Sequence, residues 1–244
     1  MVMQVTPMLR IACLVAALVG SAGSAADSPR APLFSGLGPY RGPPATKDAR
    51  AQRYFEQGVV LTWGFNAAEA ARSFEAATAV DPRCALCWWG LAWSLGPNVN
   101  VDMNAADAPR VRDALDHALA RMRTPYERGV ITALAARHPR GSNAVDESSY
   151  ARAMRELARA RPRDAEVAEL AAEALLNMHP YDWWDPNGNA RPWTPEILAL
   201  LDRAITLEPR HAGAHHYRIH VLEASPHPER ALASANALAH LVPG

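Results

Sequence analysis

The chain reads as an all-helical protein. Ala and Arg recur along its length, strand-type runs of Val, Ile and Thr are scarce, and small and apolar residues return at helical spacing from residue 47 onward. Hydrophobic residues make up 49% and charged residues 20% of the 244 positions, a balance that excludes a disordered chain. The 25 basic and 25 acidic side chains cancel. No basic excess marks the chain as a nucleic-acid binder.

The first 26 residues read as a secretory signal peptide. Met1 to Arg10 carries one positive charge and no acid, and an apolar stretch from Ile11 to Gly20 follows. Small residues from Ser21 to Ala26 supply a cleavage zone. A buried N-terminal helix and an uncleaved anchor are the competing readings. No later segment is apolar and long enough to span a bilayer, so a periplasmic or secreted bacterial protein is expected. Residues 27–46 are rich in Pro and Gly and cannot form regular helix. Phe34 and Tyr40 suggest that this segment lies against the domain at 47–244.

Within that domain an internal period is visible. Tyr54, Gly58 and Leu61 fall on one face of a first helix; Ala70, Phe74 and Ala77 fall on one face of a second. A turn around Gly64 to Ala67 separates them, and Asp81-Pro82 closes the unit. Small residues allow close helix approach, and Phe74 fills the gap. Prolines at 82, 162, 209 and 243 each end a comparable stretch. Five helix pairs are expected, at about 51–82, 84–122, 125–162, 165–209 and 211–243. Residues 96–104 and 179–193 are insertions between paired helices, of a length that favours a functional role.

This aromatic–Gly–Ala–Phe–Ala–Pro pattern resembles the tetratricopeptide repeat family. The resemblance implies an α-solenoid of about five helix pairs with a right-handed superhelical twist, whose concave groove binds a partner protein or peptide. Three phrases narrow it: Cys84 to Gly90 (CALCWWG) with Gly96 to Asn98, the Trp183-Trp184 insertion, and Ala214 to His220 (AHHYRIH) with Glu223 to Pro228. They look like a bacterial family of exported tetratricopeptide proteins of uncertain activity, whose members usually continue into a further His-rich phrase. No polar cap of the kind solenoids need is visible at the end, so the readings are a C-terminally truncated member or an end covered by another chain.

Several residues carry potential chemistry. On the family's pattern Phe55, Trp63, Trp89 and Trp93 would form an aromatic floor in the N-terminal half of the groove, or pack against the insertions. Glu169, Glu173, His216, His220 and Glu223 would line its C-terminal half. His216 and His220 are four apart, so one helix face presents both, and with Glu223, Glu169 and Glu173 they suit copper, zinc, iron or manganese. The competing reading is an ordinary polar groove. His215 is expected in the core and His227 at a turn. Cys84 and Cys87 form a CxxC at a helix start, with a disulfide, a metal-binding thiolate pair and two free thiols as alternatives. Asp182, Asp185 and Asn187 could ligate calcium, but their spacing matches no known loop and a capped loop is the preferred reading. No nucleophile elbow, phosphate-binding Gly loop or zinc-protease helix occurs, so the chain is read as a partner-binding scaffold before a metal-dependent redox protein.

Overall fold

Caps written into the sequence start the helices. Asp48 accepts from the backbone N–H of Arg50 and Ala51 and opens α1 (Ala49–Trp63). Thr124 and Glu127 form a reciprocal capping box that opens α5 (Pro125–Arg137). Asp146 and Asp164 cap α6 (Glu147–Ala160) and α7 (Ala165–Met178) in the same manner. The remaining helices are α2 (Ala67–Val80), α3 (Ala85–Leu95), α4 (Ala108–Arg121), α8 (Thr194–Leu207), α9 (Ala212–Glu223) and α10 (Leu232–Leu241). Pro82, Pro162, Pro209 and Pro243 each stand two residues past a helix end, where the missing N–H and fixed φ prevent continuation.

The computed structural model describes residues 31–142 and 144–243, which belong to one compact unit. The expected signal peptide lies outside the described residues. Within them the fold is all-helical: the only extended pairings are two isolated bridges, Asn98 with Val101 and Trp184 with Ala190. Helices pack chiefly on their neighbours in sequence, which gives the pairs α1–α2, α3–α4, α5–α6, α7–α8 and α9–α10, with only light contact between α4 and α5. No helix among the described residues is long and apolar enough to cross a membrane.

Close approach within the first three helices depends on two glycines around one ring. A Cβ at Gly58 would stand 2.7 Å from the Phe74 ring, and one at Gly90 would stand 2.2 Å from it. The array also bends back on itself. The end of α1 reaches the start of α9: a Cβ at Gly213 would meet the Trp63 indole at 2.5 Å, and Trp63 lies 4.7 Å from the His211 ring. That return contact turns the inward faces of α1, α3, α7 and α9 toward one interior.

Residues 31–46 close the same interior from outside. Gln57 accepts from the Phe34 N–H (2.7 Å) and donates to the Pro32 carbonyl (2.8 Å). Gln52 accepts from the Ala45 N–H (2.9 Å) and donates to the Pro43 carbonyl (3.2 Å). Two side-chain amides of α1 thus hold an extended segment by its backbone. Tyr40 turns inward and meets Trp63 edge-on at 4.8 Å. Phe34, expected against the domain, is 43% exposed, because its backbone and not its ring is what Gln57 holds.

Cys84 and Cys87 form a disulfide and are buried. Cys84 is the N-cap of α3, with its sulfur accepting the Cys87 N–H. The free-thiol and thiolate-pair readings are set aside.

Candidate ligand chamber

The inward stripe of α7 is Glu166, Glu169, Glu173 and Asn177, at helical spacing. Three of the four carry a carboxyl, and each meets a different environment. Glu173 is fully served: Trp93 Nε1 donates to it (3.3 Å), Asn177 Nδ2 donates to it (2.7 Å), and the Tyr150 hydroxyl donates to its second oxygen (3.1 Å). Burial raises its pKa, while the Arg137 guanidinium pulls it back. Arg137 has no exposed side-chain surface; it holds Glu147 through Nε and Nη2 and lies over the Tyr150 ring. Every oxygen of Glu173 is satisfied in this network, which leaves only Nη1 of Arg137 buried without a partner.

Glu169 lies one turn earlier and is 0% exposed, yet neither of its oxygens has a hydrogen-bond partner. Burial holds its pKa well above the carboxylate range, and the charges of Glu173 and Glu166 push in the same direction. Trp63 Nε1 lies near enough to favour the charged form, but neither group completes a bond. The buried Nε1 of Trp89 is also unpartnered. Around Glu169 the walls are Tyr40, Phe55, Trp63, Trp89, Trp93 and Tyr126, with Trp89 and Trp93 stacked at 5.1 Å. The gap they leave is about 10 Å³, room for a group the size of one water molecule.

Glu166 and Tyr40 line both this gap and a surface cavity of about 300 Å³, whose further lining includes Glu208, Arg210 and His211. Burial pushes the Glu166 pKa up to about 8, with the Tyr40 hydroxyl partly opposing it. The Tyr40 hydroxyl itself is buried without a partner in hydrogen-bond geometry. His211 caps α9 by accepting the Ala214 N–H at Nδ1, which places its proton on Nε2. Burial lowers its pKa to about 3, so the ring is neutral and its Nε2–H faces Glu166 Oε1 at 3.6 Å.

The structure therefore revises the expected groove. Phe55, Trp63, Trp89, Trp93, Glu169 and Glu173 do come together, but each is at most 4% exposed. They form a closed interior and not an open floor, because α1 meets α9 and residues 31–46 cover the remaining side. The expected five-residue metal cluster does not assemble either. Among the described residues no group of three or more His, Cys, Asp and Glu side chains is placed to hold a metal. Glu169 and Glu173 stay in the interior with the aromatics, while His216, His220 and Glu223 bond among themselves and to the end of α1.

Other expectations find their places. His215 is buried between Ser234 Oγ (3.1 Å) and the Pro209 carbonyl (3.0 Å). The His227 N–H donates to Ser225 Oγ within its turn. In the Trp-rich insertion Asp185 accepts from the N–H groups of Asn187 and Asn189, and Asp182 pairs with Arg191. Tyr40, Gln52, Gln57, Glu166 and His211 were not singled out for the site by sequence reasoning. The signal for Glu166 was present: it extends the 169–173 carboxylate stripe by one step. Comparison with protein-family models and with curated proteins finds no match.

Proposed function

We propose that the chain is an exported, tetratricopeptide-like α-solenoid with a right-handed twist, and that its concave side binds a partner protein or peptide by taking a lysine side chain into the chamber. The observation that carries this is Glu169, a buried carboxyl with two unpartnered oxygens inside an aromatic wall. A native fold rarely leaves such a group unsatisfied without a use for it. An ammonium head is about the size of the water that the inner gap admits, supplies three donors, and is attracted to indole faces. Glu166, at the junction with the outer cavity, offers a second acceptor along the way. A guanidinium or a phosphate suits the gap poorly, one by size and the other by charge.

The solenoid reading is supported by the five sequential helix pairs, the Gly58–Phe74–Gly90 contact and the prolines that follow four helix ends. Export is supported by the character of residues 1–26 and by the Cys84–Cys87 disulfide, which suits an oxidising compartment. Peptide binding gains support by analogy from Gln52 and Gln57, which hold the chain's own extended residues 31–46 by their backbone.

The test is a displayed library of random short peptides, enriched on the wild-type chain and then measured by fluorescence anisotropy. Selected peptides are expected to share a lysine, and norleucine in its place should weaken binding by about tenfold or more. Glu169→Gln should abolish the lysine preference and yet stabilise the free protein at neutral pH by about 1–3 kcal/mol, since the amide has no ionised form that burial must suppress. Equal binding of lysine and norleucine peptides would defeat the proposal.

A further inference from the structure

The two histidines expected among the metal ligands lie outside the chamber, and their hydrogen bonds fix their tautomers. His216 Nδ1 is bonded to the Trp63 carbonyl, one of the free carbonyls at the end of α1. A carbonyl can only accept, so His216 Nδ1 carries the proton. His220 Nδ1 lies 2.9 Å from Glu223 Oε1, an exposed carboxylate that also accepts. His220 Nδ1 therefore carries its proton too. Each ring is left with a lone pair on Nε2, and the two Nε2 atoms face each other at 3.0 Å. Two lone pairs at that distance repel unless a cation lies between them.

The surroundings hold the pair in place. His216 and His220 are one turn apart on α9, with ring centroids 4.7 Å apart. Phe65 lies over both, at 4.9 and 5.5 Å between ring centroids. It reaches them from the α1–α2 turn in a left-handed conformation (φ 56°) that a residue with a side chain seldom adopts. On the other flank a largely apolar cavity of about 220 Å³ is bordered by His216, Val60, Trp63 and Leu238.

We propose that His216 and His220 bind one divalent transition-metal ion through their Nε2 atoms, with the Trp63 carbonyl and Glu223 as positioning partners. In tetrahedral zinc with Zn–N bonds of about 2.1 Å the two nitrogens stand about 3.4 Å apart, a change of a few tenths of an ångström from the arrangement here. A donor that fixes the far nitrogen of each imidazole is the usual companion of a histidine ligand. The remaining coordination positions are left for water or an exogenous ligand. Among the described residues no other histidine, cysteine or acid completes a cluster of three, so we treat the site as a two-histidine site with open positions. This inference does not depend on lysine recognition in the chamber.

The experiment is calorimetric titration of the untagged full chain with zinc chloride alone, beside long-range imidazole ¹H–¹⁵N spectra. One zinc per chain is expected. His220→Gln and His216→Gln should each remove it, and Glu223→Gln should weaken it about 10–100-fold while leaving both histidines in place. In the spectra both Nε2 signals should move on zinc addition while both Nδ1 atoms keep their protons. Glu169→Gln should bind zinc as the wild type does, which separates this site from the chamber. A wild-type chain that takes up no zinc, or a His220→Gln chain that takes up zinc unchanged, overturns the proposal. So does a spectrum in which a proton shared between the two Nε2 atoms is not displaced by the metal.

Discussion

At the scale of single residues, Glu169 and Glu173 show how four positions of helix separate a functional carboxyl from a structural one. Both are acids on the same face of α7 and both are buried. Glu173 receives three donors and faces the Arg137 charge; Glu169 receives none. Their substitutions should therefore have opposite signs. Glu169→Gln removes an acid that burial keeps from ionising, whereas removing Glu173 strands the Tyr150 hydroxyl, the Trp93 indole N–H, the Asn177 amide and part of the Arg137 charge in the interior. Glu173→Ala is expected to destabilise the fold by about 3–5 kcal/mol, the usual effect of breaking a buried charge network from one side. Urea denaturation of the two variants beside wild type measures both. A Glu173→Ala loss no larger than that of a surface substitution would remove the distinction between the two acids.

At the scale of helices, the fold rests on contacts that the spacing of residues announces. Phe74 is held between Gly58 and Gly90, so its ring cannot retreat from either side. Gly90→Ala should cost about 1–3 kcal/mol through overpacking, although alanine is the better helix former. Phe74→Leu in the same chain should recover part of that loss, and thermal melts of the single and double variants would detect the recovery. No recovery would mean that the glycine acts through the backbone instead. The helices were legible for the same reason: small residues, one aromatic and a closing proline are local signals that need no distant partner. The chamber was legible only in part. Glu169 and Glu173 could be placed on an inward face from their spacing, but whether that face is open depends on α1 meeting α9, some 150 positions away in the chain. Tyr40 enters from a segment with no period at all, and Gln52 and Gln57 gain their role only from the backbone they hold. The tautomers of His216 and His220 depend likewise on Trp63, which no i,i+4 argument reaches.

At the scale of the whole molecule, the buried ionisable groups oppose one another across the pH range. Glu166, Glu169 and Glu173 are raised above the ordinary value of 4.5 by burial, Glu166 to about 8. Between 4.5 and 8 the folded chain therefore keeps protons that the unfolded chain has lost, and stability falls as pH rises through that window. His211 and His138 are lowered by burial from 6.5 to about 3 and about 4. Below 6.5 the unfolded chain takes up protons that these rings refuse, so stability falls as pH drops. The two slopes offset each other between 4.5 and 6.5, and only the carboxyl slope remains above. Melting temperature should thus form a broad maximum at mildly acidic pH and decline toward pH 8. Glu166 retains 22% of its side-chain surface, so solvent tempers its share. Glu166→Gln should flatten the alkaline limb and, by removing part of the opposing carboxyl slope, steepen the fall between pH 6.5 and 4.5. A lysine-bearing ligand reverses the logic: an ammonium beside Glu169 favours the ionised carboxyl, so bound peptide should stabilise the protein more at pH 8 than at pH 5. Melting curves at both pH values, with lysine and norleucine peptides, test this directly. Equal stabilisation at the two pH values would disconnect the chamber acids from the ligand, whereas a gain confined to the lysine peptide at pH 8 would tie the carboxyls that weaken the free fold to the ligand that completes it.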